Sequence, residues 1–75
     1  MMEYVKYHGV QHCNKFNKDF AVLEYQDKEN DADYIECSCC GKPIKKRMIV
    51  LQDIETDVEE YYLGFTCAKK LVKIS

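Results

Sequence analysis

The cysteine content is the feature that most constrains how this chain can fold. Five of its 75 residues are cysteines, and it has no tryptophan and a single proline. A domain of this length buries only about 60% of the surface that its unfolded chain exposes, so its apolar core is thin. Domains this small usually need disulfides or a bound metal, and the odd number of cysteines favours a metal.

The overall composition narrows the class of protein. The N-terminal residues 1–6 lack the apolar run of a signal peptide, and no stretch approaches the roughly 20 apolar residues of a membrane span. We therefore expect a cytoplasmic protein without a membrane segment, in a compartment where clustered cysteines more often bind metal than form disulfides. The balance of 11 basic and 13 acidic residues excludes a strongly basic nucleic-acid tail. We expect one domain, 1–75, with N-terminal strands in 1–36 and a metal-binding part in 37–75.

Short runs rich in β-branched and aromatic residues predict strands. Such runs occur at residues 20–25, 34–36, 47–52 and 58–63, with less regular candidates at 4–7 and 10–16. The polar segment 53–57 predicts a β-hairpin with a loop of about five residues. Near the C-terminus, Thr66 is a good helix N-cap, and Ala68, Leu71 and Val72 follow at helical spacing. The predicted fold class is α+β.

The segment from Cys37 to Gly41 carries the strongest chemical signal. Cys37 and Cys40 have the C-x-x-C spacing, which lets a tight turn aim both sulfur atoms at one point. Gly41 supplies the positive φ that ends such a turn. Cys67, at the start of the predicted helix, is the third candidate ligand, because free N–H groups there stabilise a thiolate. Structural zinc almost always has four ligands, so one more is needed.

The order of these elements resembles a known family. A Cys-x-x-Cys-Gly-Lys-Pro-Ile knuckle at 37–44, a hairpin, and a Tyr-Leu-Gly-Phe-Thr-Cys-Ala-Lys-Lys-Leu segment at 62–71 resemble small treble-clef zinc fingers of bacteria and their phages. The resemblance implies one structural Zn²⁺ and a treble-clef fold with extra N-terminal β-strands. In that family the helix usually provides two ligands, two residues apart. Here those positions hold Gly64 and Lys70, which cannot bind zinc.

The fourth ligand is therefore sought in the N-terminal part of the chain. We favour Cys13, because a thiolate is a common partner of three others in structural sites, with His12 as the alternative. These neighbours face opposite sides of an extended segment, so only one reaches the metal. Cys39 adjoins Cys40, so its side chain should point elsewhere. His8 is interpreted as a surface histidine.

Other interpretations of the cysteines fit less well. A redox C-x-x-C pair of the thioredoxin type belongs to a βαβ pattern, whereas a hairpin follows this one. A rubredoxin-type iron site would need a second knuckle, and the sequence has only one. Buried or free thiols that bind no metal are the remaining alternative, and for Cys39 we accept it.

The charged residues alternate in blocks, and this pattern favours a binding function. Acidic residues dominate 24–36 and 53–60, and basic residues dominate 42–47 and 69–73. With no phosphate loop and no nucleophile–base pair, we expect no enzymatic activity. We expect a regulatory or inhibitory module, phage-encoded as the resemblance suggests, that binds an unidentified protein and is a monomer or small homo-oligomer. The alternative is a nucleic-acid-binding zinc finger with a basic patch. That patch would comprise Lys42, Lys45, Lys46, Arg47, Lys69, Lys70 and Lys73.

Overall fold

An antiparallel sheet of four strands forms most of the described chain. A computed structural model describes residues 2–27, 35–44 and 47–74. The sheet has the order β1-β2-β5-β6, and a separate two-stranded ladder pairs β3 with β4. The elements are β1 (Met2–Cys13), β2 (Lys18–Asp27), β3 (Ile35–Glu36), β4 (Pro43–Ile44), β5 (Arg47–Asp53), β6 (Glu59–Gly64) and α1 (Phe65–Leu71).

This architecture corrects the predicted fold class. The domain is sheet-rich, and it is not the α+β treble-clef arrangement that the resemblance implied. The strands predicted as N-terminal additions form half of the main sheet, because β1 and β2 are long and β2 pairs directly with β5 along seven residues. The hairpin after the knuckle is thus part of a larger sheet, and α1 has only seven residues.

The predicted strands and the hairpin are otherwise confirmed where the structure describes them. β2 and β5 cover the predicted runs, β6 begins one residue later than predicted, and the loop at 54–58 has the expected length. The two candidates at 4–7 and 10–16 merge into one strand that ends at Cys13, so residues 14–16 lie in a turn instead. Tyr34, at the start of another predicted strand, lies outside the described residues.

Apolar side chains of β2, β5 and β6 form the core, and β5 is buried on both faces, since the consecutive residues Ile49 and Val50 are both fully buried. Phe20 and Val22 of β2 lie across from Asp53 and Leu51 of β5 in the strand register, and all four are buried. Leu63 of β6 lies opposite Ile49 and is also fully buried. Burying such a side chain contributes about 1.5–3 kcal/mol. The knuckle and α1 contribute Cys37 and Ala68 to the same core cluster.

The segment between β3 and β4 is held against the sheet by backbone hydrogen bonds. The Cys37 N–H donates to the carbonyl of Lys42 at 2.8 Å, and the Ser38 N–H donates to the carbonyl of Tyr62 in β6 at 2.7 Å. The Tyr62 N–H donates in turn to the Ser38 Oγ at 3.2 Å. The knuckle is therefore fixed to the strand that leads directly into α1.

The helix begins two residues earlier than predicted. Gly64 is its N-cap and makes no side-chain cap hydrogen bond, so the expectation that Thr66 caps the helix is wrong. The early start arises because β6 runs directly into α1 without a connecting loop. Ala68 faces the core as predicted, whereas Val72 is buried just beyond the end of the helix. None of the helices in the described part of the chain is long and apolar enough to cross a membrane.

Strand β1 is an edge strand whose pairing is irregular. Its register with β2 shifts between Tyr4 and Lys6 and again between Tyr7 and Gly9, where Gly9 has a φ of 89°. The C-terminal segment after α1 returns to this strand. The amide of Gln11 holds it, donating to the carbonyl of Lys73 at 2.8 Å and accepting from the Lys73 N–H at 2.7 Å.

Candidate metal centre

Three cysteines from two distant parts of the chain meet at one point. The sulfur atoms of Cys37, Cys40 and Cys67 all lie within 4.8 Å of one another. In a tetrahedral zinc site with Zn–S bonds of about 2.3 Å, neighbouring sulfur atoms are about 3.8 Å apart. The three thiols are thus close to the spacing that a shared metal ion requires, and this cluster can hold one.

Local backbone geometry explains why the knuckle sulfurs converge. The Gly41 N–H donates to the carbonyl of Cys37 at 2.9 Å and closes the turn that brings Cys40 back beside Cys37. Gly41 has a φ of 75°, the left-handed conformation that the sequence predicted for this glycine. Cys67 reaches the same point because β6 pairs with the knuckle and α1 starts at its end.

The ionisation of the three thiols is unequal. Burial opposes ionisation of Cys37, but the N–H groups of Gly64, Cys40 and Cys39 outweigh burial and lower its pKa to about 7. The Gly64 N–H lies 3.4 Å from the Cys37 sulfur. The contact with Cys40, together with burial and the proximity of Cys37, raises the pKa of Cys67 to about 12.

The opposed pKa shifts of Cys37 and Cys67 indicate that the cluster lacks a positive charge to offset repulsion between its thiolates. Thiolates placed this close repel each other, so the ionisation of Cys37 suppresses that of Cys67. A cation between them removes the repulsion and allows all three to bind as thiolates. The donor set, three soft sulfur atoms with one thiol already acidic, fits a thiophilic ion such as Zn²⁺.

A cavity of about 410 Å³ borders the three cysteines. Pro43, Ile44 and Phe65 form much of its apolar wall, and Lys42 and Arg47 also line it. Two cations beside a cluster that carries net negative charge when metallated are electrostatically favourable. The cluster therefore faces an accessible space and is not sealed inside the core.

The structure does not bring the predicted fourth ligands into the three-sulfur group. Cys13 is completely buried in the sheet core and is not part of the three-sulfur group. His12 is exposed, and its Nδ1 lies 2.8 Å from a carboxylate oxygen of Asp19. Cys39 is also exposed and outside the group, with its sulfur 3.3 Å from the Lys15 Nζ. Within residues 2–27, 35–44 and 47–74, no further Cys, His, Asp or Glu joins the three sulfurs.

A buried polar network beside the cluster was missed by the sequence interpretation. Glu24 lies on the core face of β2, and its carboxylate accepts from both Nε and Nη2 of Arg47, at 3.1 and 2.8 Å. Its other oxygen lies 2.8 Å from Nε2 of His8, whose side chain is only 4% exposed. The interpretation of His8 as a surface histidine was therefore wrong. A carboxylate within the otherwise apolar run 20–25 was the signal that an internal partner was needed.

This network also reaches the helix that carries Cys67. The Arg47 guanidinium lies 3.7 Å from the ring centroid of Phe65, the first residue of α1. The stacking and the ion pair together fix Arg47 between the sheet and the cluster. Although burial opposes ionisation of Glu24, the hydrogen bonds from His8 and Arg47 hold its pKa below the ordinary value of 4.5.

The described basic residues of the suggested patch line different cavities, although Arg47 and Lys69 both lie near the Phe65 ring. Arg47 is paired with Glu24, and Lys42 borders the cysteine cavity. The C-terminal lysines instead line two other cavities, between β1 and α1. Lys45 and Lys46, which were also predicted for this patch, lie outside the described residues.

Comparisons of the chain with protein-family models, with curated proteins and with solved structures gave no match. The fold and the site thus define its class directly. It is a small domain built on an antiparallel sheet, with a cluster of three cysteines that can hold a metal ion.

Proposed function

We propose that this chain is a zinc-binding protein in which one Zn²⁺, held by Cys37, Cys40 and Cys67, ties the knuckle to α1. The observation that carries the proposal is the convergence of these three sulfur atoms within 4.8 Å. Zinc is the metal that structural Cys-x-x-Cys knuckles most commonly bind, and thiolates favour it over magnesium and calcium. The fourth ligand stays a prediction, with Cys13 favoured over His12.

The metal's role in this proposal is structural. The helix α1 buries only Ala68 within its seven residues, so its packing against the sheet gives it little stability of its own. A bond from the metal to Cys67 would anchor it. At a free zinc concentration about 100 times Kd, binding stabilises the folded chain by about 2.7 kcal/mol. For a domain of this size, that amounts to about 10–20 °C in Tm.

We further propose that the domain acts by binding another protein and not by catalysis. Support comes from the separation of charge on its surface. The β5–β6 loop exposes Glu55 and Asp57, whereas α1 exposes Lys69 and Lys70 and the segment after it exposes Lys73. Complementary charge of this kind steers association and selects partners. Exposed tyrosines on β1, Tyr4 and Tyr7, add the amphipathic surface that is enriched at interfaces.

Elemental analysis of the purified chain tests the zinc proposal. We expect about one zinc per chain, a lower Tm after chelation, and recovery when Zn²⁺ is added back. Replacement by Co²⁺ should produce thiolate-to-metal charge-transfer absorption, because sulfur ligands transfer charge to that ion.

The knuckle supplies its own matched control. Cys37→Ser, Cys40→Ser and Cys67→Ser should each reduce zinc content, whereas Cys39→Ser, which changes an exposed thiol in the same turn, should not. A folded protein that contains no metal, and in which all four substitutions have the same effect on Tm, would refute the proposal.

A further inference from the structure

Two adjoining cavities between β1 and the C-terminal segment form a single lysine-lined groove. The larger, of about 720 Å³, is lined by Lys6, Lys69 and Lys73. The smaller, of about 490 Å³, is lined by Lys69, Lys70 and Lys73. Because both also share Gln11 and Val72, they are continuous, and we call them together the basic groove.

Among the described residues, the basic groove is lined by lysines and by no acidic side chain. No aspartate or glutamate is among the described residues that line either cavity, although the chain has more acidic than basic residues. Lys70 and Lys73 form no ion pair with any residue that the structure describes. Lys70 and Lys73 thus add positive charge to the groove without a counter-ion among the described residues.

The groove is also held in shape. The two hydrogen bonds between the Gln11 amide and the Lys73 backbone pin its C-terminal wall to β1. Lys69 lies on α1, with its Nζ 5.4 Å from the Phe65 ring centroid. The Tyr7 side chain, about half exposed, adds an apolar surface at the larger cavity. A ligand would meet Lys69 and Lys70 on α1 and Lys73 on the segment whose backbone is bonded to β1.

From this arrangement we infer that the basic groove binds a short acidic segment of a partner protein. Carboxylate side chains would pair with the lysines, and the Tyr7 ring would cover apolar atoms of the segment. This inference rests on the proposed role as a protein-binding module, and it names the chemistry of the partner.

Charge elsewhere on the chain favours a peptide over a nucleic acid. A nucleic acid carries charge along its whole length and would extend beyond the groove. The exposed carboxylates of Glu55 and Asp57 in the β5–β6 loop, and of Glu59 at the start of β6, would repel it wherever it approached them. A short acidic segment can end within the groove and avoid that repulsion.

Fluorescence anisotropy with the zinc-loaded protein tests the inference. The probe is a short labelled peptide rich in Asp and Glu, compared with the same peptide carrying Asn and Gln and with a labelled single-stranded oligonucleotide of equal charge. We expect salt-sensitive binding of the acidic peptide, weak binding of its neutral analogue, and weaker binding of the oligonucleotide.

Substitutions locate the binding surface. Lys69→Ala, Lys70→Ala and Lys73→Ala should each weaken binding about two- to fivefold, the range for exposed charge pairs, and the triple variant at least about eightfold. Lys15→Ala is the matched control, since Lys15 is exposed and lines neither cavity. Amide shifts in NMR spectra on peptide addition should concentrate at residues 6–11 and 69–74.

Three results would overturn the inference: no peptide binding at low salt, equal binding by the triple variant, or tighter binding of the oligonucleotide. Zinc content measured on the same samples separates this inference from the metal proposal. If the protein contains zinc but does not bind the peptide, the inference about the groove is refuted and the metal proposal is not. Groove-dependent binding by a protein without zinc supports the inference while refuting the metal proposal.

Discussion

Replacing Glu24 by Gln should strongly destabilise the domain. The carboxylate is almost fully buried and receives two hydrogen bonds from Arg47 and a contact from His8, at 2.8 to 3.1 Å. Gln has the same shape but no charge, and its amide N–H₂ would face a donor. Removing one partner of a fully buried ion pair costs about 3–5 kcal/mol. Because the Arg47 side chain is 39% exposed and can be rehydrated, we expect Glu24→Gln to lower the free energy of unfolding by about 2–4 kcal/mol.

This loss is large for a chain of this length. A stability of about 0.05–0.15 kcal/mol per residue gives about 4–11 kcal/mol in total, so the variant should melt about 8–30 °C lower. Urea unfolding of the zinc-loaded proteins, followed by circular dichroism, measures the difference. Glu60→Gln is the control, because the Glu60 carboxylate makes a more exposed pair with Lys18 and should cost less than about 1 kcal/mol. Equal unfolding free energies for the Glu24 and Glu60 variants would refute the reasoning.

The same experiment has a defined pH dependence. The pKa of Glu24 is lower in the folded chain than its ordinary value of 4.5, so its stabilising contribution is present above that pH. It is lost as the pH falls through the folded-state pKa. The gap in unfolding free energy between the native chain and Glu24→Gln should therefore narrow below about pH 4.5. A gap that stays constant into acid would contradict the assignment of the effect to the carboxylate charge.

Two further predictions concern the metal centre. Cys13→Ser buries a hydroxyl in the core and should lower the free energy of unfolding by about 1–3 kcal/mol. Its zinc content should fall only if Cys13 is the fourth ligand. His12→Ala tests the alternative ligand in the same assay. Gly41→Ala should destabilise the knuckle by about 1–2 kcal/mol, because a Cβ there meets no atom within 4 Å but the φ of 75° is strained for alanine. Gly64→Ala, at a φ of −66°, should stay within about 0.5 kcal/mol of the native chain in thermal unfolding. Equal effects of the two glycine substitutions, or unchanged zinc content in both the Cys13 and His12 variants, would contradict these assignments.

The strands that the sequence predicted carry a local signal in their residue types, with alternating burial in β2 and continuous burial of residues 48–51 in β5. In β2, the residues Phe20, Val22 and Glu24 are buried and their neighbours are less so, which gives a period-two pattern. Strand β1 shows no such pattern. It lies at the edge, exposes Tyr4, Val5 and Tyr7, and shifts register twice, so its apolar residues do not mark one face. Its full length, and with it the sheet-rich fold, could not be predicted from local periodicity.

In the candidate site, residue spacing in the sequence predicts the local turn, whereas tertiary packing determines the position of the distant ligand. The turn from Cys37 to Gly41 is local, so its geometry follows from residue types, whereas the position of Cys67 depends on how β6 pairs with the knuckle. Arg47 then adds a connection that no spacing could indicate, since it pairs with Glu24 of the sheet and stacks on Phe65 of α1. Because α1 also carries Cys67, loss of the Glu24 charge should loosen the helix and weaken zinc binding. The sheet core and the metal centre are therefore expected to be energetically coupled through one arginine.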